Sequence, residues 1–192
     1  MMRISGAIAI VLLLAACSSG SKVADEPDEP TQAKQIADIP ESIYQPTVHA
    51  ILALSGAFDV DGSKQTIETV WRRAGTSQKV RLQLSPQMVT VQALGPGRYV
   101  LDSLVVDGSE LLVTGGDERQ ASPVSDLVLD PGDVIYGGDL VIHETSRQTS
   151  SDNRARNMVL RIANNTSRAK AAVAVKYARQ AGQMQTRLLR KR

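Results

Sequence analysis

The chain has 192 residues, 42% of them hydrophobic and 22% charged, enough to bury the core of one ordinary domain with something to spare. Its single cysteine excludes an intrachain disulfide, and a formal charge of +2 is too near neutral to point the whole molecule at a nucleic acid. Aromatic residues are only 3% of the chain, so the core must be built from Val, Leu, Ile and Ala.

Arg3 supplies a positive start, and residues 4–14 form an apolar run broken only by Ser5 and Gly6. As a helix this run spans about 16 Å, roughly half of a ~30 Å hydrocarbon core. It is too short for a comfortable membrane span and has the length and small-residue ending of a secretion signal. Leu14-Ala15-Ala16-Cys17 then resembles the lipobox of bacterial lipoproteins. That resemblance implies that residues 1–16 are a signal peptide cut away before Cys17. It also implies that Cys17 becomes the lipidated N-terminus and anchors the protein in a bacterial membrane, since two or three acyl chains hold where one does not. Ser18 follows the cysteine instead of Asp, which by the family's sorting habit implies the outer membrane, facing the periplasm. Residues 17–45 are rich in Ser, Asp, Glu and Pro. They read as the lipidated end and a disordered tether reaching about 30 Å.

Residues 46–163 carry strand signals. "TVHAILALSGAF" alternates through Val48, Ala50, Leu52 and Leu54, and "KVRLQLS" sets Val80, Leu82 and Leu84 against Arg81 and Gln83. "QTIETVWRR" also favours a strand, with Ile67, Thr69 and Trp71 on one face. "MVTVQAL", "GRYVLDSLVV", "ELLVT", "SDLVLD", "DVIYGGDLVIHE" and "RNMVLRI" follow, separated by Gly, Asp and Pro turns. Regular punctuation of period-two segments predicts a mainly β domain, an antiparallel two-sheet β-sandwich of about eight or nine strands with one face of each sheet buried. After Asn164 the period changes. Ala169, Val173, Tyr177, Ala181, Met184 and Leu188 form a helical stripe, which predicts one amphipathic, basic C-terminal helix over residues 164–192. Asn165, Thr166 or Ser167 can cap it.

"LGPGRYVLDSLVVDG" and "LDPGDVIYGGDLVI" resemble paired motifs of uncharacterised envelope lipoproteins with a transthyretin- or prealbumin-like β-sandwich. The likeness covers about residues 85–190. It implies that Tyr99 and Tyr136 are packing residues with hydroxyls at the sheet margin, and that Gly97, Gly132 and Gly138 are turn or bulge positions.

Candidate chemistry is sparse. Asp130, Asp133 and Asp139 cluster in sequence and invite a calcium reading, but Asp-Pro-Gly-Asp is also what a tight turn before a strand looks like. His49, His143 and Glu144 are too few and too far apart for a catalytic metal site. Ser167 and Lys170 fit S-x-x-K without the other elements that serine acyl enzymes need; Ser125-Asp126-Leu127 is only a partial likeness. Arg179, Arg187, Arg190, Lys191 and Arg192 make a basic end suited to the helix dipole or to an anionic surface. The expectation is therefore a protein with no catalytic residue, cofactor or metal, and with Cys17 as its lipidation site. Its expected role is a membrane-anchored, non-enzymatic structural or protein-interaction module of the cell envelope, with an envelope protein as partner and no nucleic acid. The alternative is a module binding glycan or a small ligand at a mouth formed by loops 59–63, 115–119 and 130–133. Loops with scarce aromatics argue against sugar stacking there, since Trp71 is the only tryptophan.

Overall fold

The structure is a computed structural model that describes residues 36–106, 108–112, 123–150 and 153–191. Residues 1–16, expected to be a signal peptide, Cys17, the expected tether up to residue 35, the 115–119 loop and Arg192 lie outside the described residues. Among the described residues eleven strands and one α-helix follow in chain order: β1 Ala50–Val60, β2 Ser63–Gln65, β3 Ile67–Arg73, β4 Lys79–Leu84, β5 Thr90–Leu94, β6 Gly97–Val106, β7 Ser109–Leu112, β8 Leu127–Leu129, β9 Val134–Ser150, β10 Asn153–Ala163, α1 Thr166–Lys176 and β11 Gln185–Thr186. They form two sheets, as the alternation predicts. One sheet runs β4-β3-β6-β7, with β8 also on β6. The other runs β10-β9-β1-β2, with β5 on β1 and β11 on β9. In the second sheet β5 and β2 share one edge of the long β1, pairing with Ala50–Leu54 and Phe58–Val60 respectively. One of the two sheets curls into a half-barrel.

Not every pairing is antiparallel. β1 runs parallel to β9, and β11 parallel to β9. A parallel pair needs a long crossover, and β2 to β8 supply it between β1 and β9, with β3, β4, β6, β7 and β8 folded into the opposite sheet.

The burial pattern also differs from a sandwich with one wet face per sheet. β4 alternates cleanly, with Val80, Leu82 and Leu84 buried and Arg81 and Gln83 exposed. β1 is buried at every position from Ala50 to Asp59. Ala50, Leu52, Leu54 and Phe58 join the core between the sheets, with Trp71, Leu84, Tyr99 and Leu101. Ile51 and Ala53 point the other way, into a second core made with Tyr136, Ala169, Val173 and Tyr177. A strand covered on both faces reads as a continuous apolar run, and "AILAL" is one.

Both ends of the domain depart from expectation. The tether expectation ran to residue 45, but the chain is ordered from Ile36. The Ile36 N–H donates to the Lys79 carbonyl at 2.8 Å, and Ile36, Ile39 and Tyr44 pack on the two cores. Those three apolar groups are what the Ser, Pro and acid content hid. The helix is also shorter than the expected 164–192, ending at Lys176. β10 stops pairing at Asp139, leaving the edge of β9 open at 135–137. Residues 185–189 fill it, through β11 and through bonds from Arg187 N–H to Tyr136 O (3.0 Å) and Leu189 N–H to Gly137 O (2.8 Å). Satisfying an exposed strand edge outweighs extending a helix through Gly182.

Candidate functional site

The polar centre of the molecule is built where α1 meets the second sheet. Ala53 pairs with Tyr136 and Ser55 with Asp139, so the register slips by one residue between them. The extra residue makes a bulge at Gly137-Gly138, which puts Tyr136 and Asp139 on the same, helix-facing side of β9. Gly138 sits at φ 109°, and a Cβ there would lie 2.8 Å from Ile162 Cγ2, so only glycine fits. Gly97 and Gly132 also have positive φ, in keeping with turn or bulge positions.

Ser55 Oγ donates to Asp139 Oδ1 at 2.5 Å, and the Tyr136 hydroxyl donates to the same oxygen at 2.6 Å. Arg168, from the first turn of α1, donates through Nη2 to Asp139 Oδ2 (3.1 Å) and Ser55 Oγ (2.6 Å), and through Nη1 to the Pro86 carbonyl (2.9 Å). The Tyr136 hydroxyl accepts the Asn165 N–H at 2.9 Å, just before the helix begins. Burial, followed by the Asp139 hydrogen bond, pushes the Tyr136 hydroxyl well above the ordinary tyrosine range. It stays a protonated donor at any physiological pH. Ser55 therefore has a carboxylate and a guanidinium beside it, and no histidine or lysine among these contacts to take its proton. The arrangement is a latch that pins α1 to β1 and β9.

The other end of α1 is fastened by Lys176. It pairs with Asp38 and donates to the Val91 carbonyl at 2.7 Å. The same Asp38 accepts the Ala93 N–H at 3.3 Å. The free edge of β5 is thus capped by an ion pair. Tyr177 then buries its ring and donates to the Ile39 carbonyl. Its hydroxyl is pushed up to about 12, first by burial and then by the Asp38 charge.

Between these two fastenings lies an open groove of about 760 Å³, in the size range of ligand and peptide sites. Ala171, Ala172 and Val175 of α1 form one wall, and Met88, Val89 and Val91 the other. Arg168 and Lys176 stand at its ends. Val175 is 90% exposed and Met88 69%, so apolar surface faces solvent on both walls.

The residues singled out from sequence are scattered. Asp130 and Asp133 close a turn on each other, the Asp130 N–H donating to Asp133 Oδ2 at 2.9 Å, and Arg187 pairs with Asp133 at 3.3 Å. Asp139 belongs to the latch instead. Among the described residues no three His, Cys, Asp or Glu gather as a metal ion would require. His49 accepts the Gln45 N–H at 2.9 Å near the Ala50 end of β1, and His143 pairs with Asp59 at its far end. Ser167 and Lys170 are both exposed and do not line the groove, and Ser125 and Asp126 are engaged elsewhere, with Arg190 and Arg98. Loops 59–63 and 130–133 flank opposite ends of the β1–β9 ladder, so they do not form one mouth. Trp71 is fully buried, donating to Thr69 Oγ1 at 3.0 Å, and offers no stacking face. Tyr99 is buried too, its hydroxyl donating to the Gly95 carbonyl at 2.7 Å. In the basic end, Arg187 is tied to Asp133 and to the Val128 carbonyl, while Arg190 and Lys191 bond Ser125 and Val124 through their backbones. The latch was missed, yet a signal existed: Ser55 and Asp139 are lone polar residues inside apolar strand runs.

No family model matches the chain, and no curated protein is significantly similar to it.

Proposed function

We propose that this protein is a lipid-anchored lipoprotein of the bacterial cell envelope, held at Cys17 and acting as a non-enzymatic module that docks another envelope protein. The observation that carries the docking reading is the groove along α1. Its walls present Val175 and Met88 to solvent, while latch and ion pair hold the helix rigidly at both ends. Helix-lined apolar grooves are a recurrent way of receiving a partner's apolar side chains. The anchor reading rests on the order of Arg3, the apolar run and Leu14-Ala15-Ala16-Cys17.

The test places a photo-activated cross-linking residue at Val175 in cells, with Lys64 on the β2 hairpin as the control position. A single protein captured in stoichiometric yield from position 175 and not from 64 supports docking at the groove. Glycan or a small amphiphile captured instead, with no protein, replaces it by the ligand-binding reading. Fatty-acid labelling that is lost in Cys17→Ser, with release of the protein from membranes, tests the anchor separately.

A further inference from the structure

The first described residues fold over an open side of the two sheets. Among the described residues β4 and β5 each have an outer edge that no other strand pairs, and residues 36–44 touch both. The Ile36 N–H donates to the Lys79 carbonyl of β4 at 2.8 Å. Asp38 accepts the Ala93 N–H of β5 at 3.3 Å and pairs with Lys176, which also holds the Val91 carbonyl at 2.7 Å. The Ile39 carbonyl accepts the Tyr177 hydroxyl, and the Tyr44 ring lies 5.6 Å from the Tyr177 ring. This segment serves the two edges as an added strand does, yet none of its residues is fully buried: Ile36, Ile39 and Tyr44 are half-buried and the others exposed. A stretch with so few buried apolar contacts sits at the low end of local stability.

Its release acts on the groove along α1, whose two cations are neutralised in different ways. Arg168 pairs with Asp139, which is 14% exposed and also accepts Ser55 and Tyr136. That carboxylate belongs to the body and cannot leave without unmaking the latch. Lys176, eight residues and about 12 Å further along the helix, pairs with Asp38, which is 42% exposed and stands on the segment itself. An ion pair this exposed adds little stability, so it parts easily. Opening leaves an unpaired ammonium at one end of the groove and the Ala93 N–H free on the neighbouring β5 edge. Together with the exposed Val175 and Met88, these groups fit an extended chain that brings one carboxylate and flanking apolar side chains. In the closed state Asp38, between Ile36 and Ile39, supplies that combination from within the chain.

We propose that residues 36–44 are a releasable strap over the Lys176 end of the groove, and that the partner's docking segment is an extended apolar stretch whose carboxylate takes the place of Asp38. Main-chain bonds to the β5 edge supply affinity, and the single charge supplies selectivity. While closed, the strap competes from within the chain at about millimolar effective concentration, which keeps uncharged segments out. The release of the strap stands by itself; the nature of the incoming segment rests on the docking reading given above for the groove.

The test first follows amide exchange in the full chain in detergent. The Ile36 and Ala93 amides, bonded to different elements, are expected to exchange through one shared opening. Their rates should stay flat in dilute urea and exceed that of Leu52 in β1 by at least about 100-fold. Asp38→Asn should speed Ile36 about threefold and leave Leu52 unchanged. Ile36 and Ala93 exchanging only together with Leu52, on global unfolding, overturns the strap and leaves the docking reading standing. The second measurement puts a photo-activated residue at position 175 and adds a fluorescent peptide, Val-Thr-Val-Asp-Val-Thr, blocked at both ends. Cross-linking should rise at least about fivefold in the Asp38→Asn background. It should fall back when Asn replaces the peptide's Asp, or in the added variant Lys176→Gln. A yield indifferent to the peptide's carboxylate overturns the replacement of Asp38. No cross-link in any background, with the strap opening as expected, overturns the docking reading and the incoming segment together. Exchange in the unaltered chain decides the strap even if a variant misfolds.

Discussion

β1 and β10 are both eleven-residue strands of the same sheet, and they are opposites. β1 has neighbours on both edges and a hydrophobic core on each face. Among the described residues β10 has a neighbour on one edge, and over half its length that neighbour has no other partner. Strand propensity does not separate the two, since a strand's stability is mostly what its faces and edges touch. Among the described residues β1 is paired along both edges, while the outer part of β10 is paired along one.

The sharpest way to break the comparison is truncation. Ile51→Ala, at a fully buried site of β1, is expected to cost about 2–5 kcal/mol. Val159→Ala, on the exposed side of β10, should stay within about 0.5 kcal/mol. Denaturant melts of the two variants measure this, and equal losses would mean that the strands are not distinct. Next comes the latch. Asp139→Asn removes the charge that Arg168, Ser55 and Tyr136 converge on and is expected to cost about 1–3 kcal/mol. Amide exchange should accelerate over residues 166–177 first. A double-mutant cycle with Arg168→Gln should return a coupling above about 0.5 kcal/mol.

Alkali should act on the same helix side. The Tyr177 hydroxyl titrates near 10 in the unfolded chain and at about 12 in the fold. The folded state therefore holds the proton more tightly. That contribution is complete below about pH 10 and is lost as pH rises towards 12. Melting temperature should fall across that window, and less steeply in Tyr177→Phe.

Much of this architecture was legible in the residues. β4 announces itself through Val80, Leu82 and Leu84, and Gly62, Gly75, Gly95, Gly108 and Gly132 mark turns before β2, β4, β6, β7 and β9. Two sheets and a helix near the C-terminus follow from the change of period at Asn164. Less visible was which segments meet. Nothing local in "AILAL" says that it lies parallel to "VIYGG" more than eighty positions away, because parallel pairing leaves no turn to read. The stripe Ala181, Met184 and Leu188 mimicked a helix because a 3₁₀ turn followed by extended chain also buries residues every three or four positions. The candidate site was obscured for a related reason. Ser55, Asp139 and Arg168 are 84 and 29 positions apart, and the bulge that turns Asp139 to the helix side depends on tertiary pairing.

The second core has a consequence in time. β1 lies early in the chain, its partner β9 begins 83 positions after Ile51, and Tyr177, which finishes the cover, comes later still. A growing chain can make the β3–β4 hairpin locally, but it leaves the apolar run of β1 without its parallel neighbour or its helix until nearly everything has been synthesised. Pairings of such long range form slowly. A polypeptide built this way stays open and threadable while it is being made, and it becomes compact only after its last fifth is free to move.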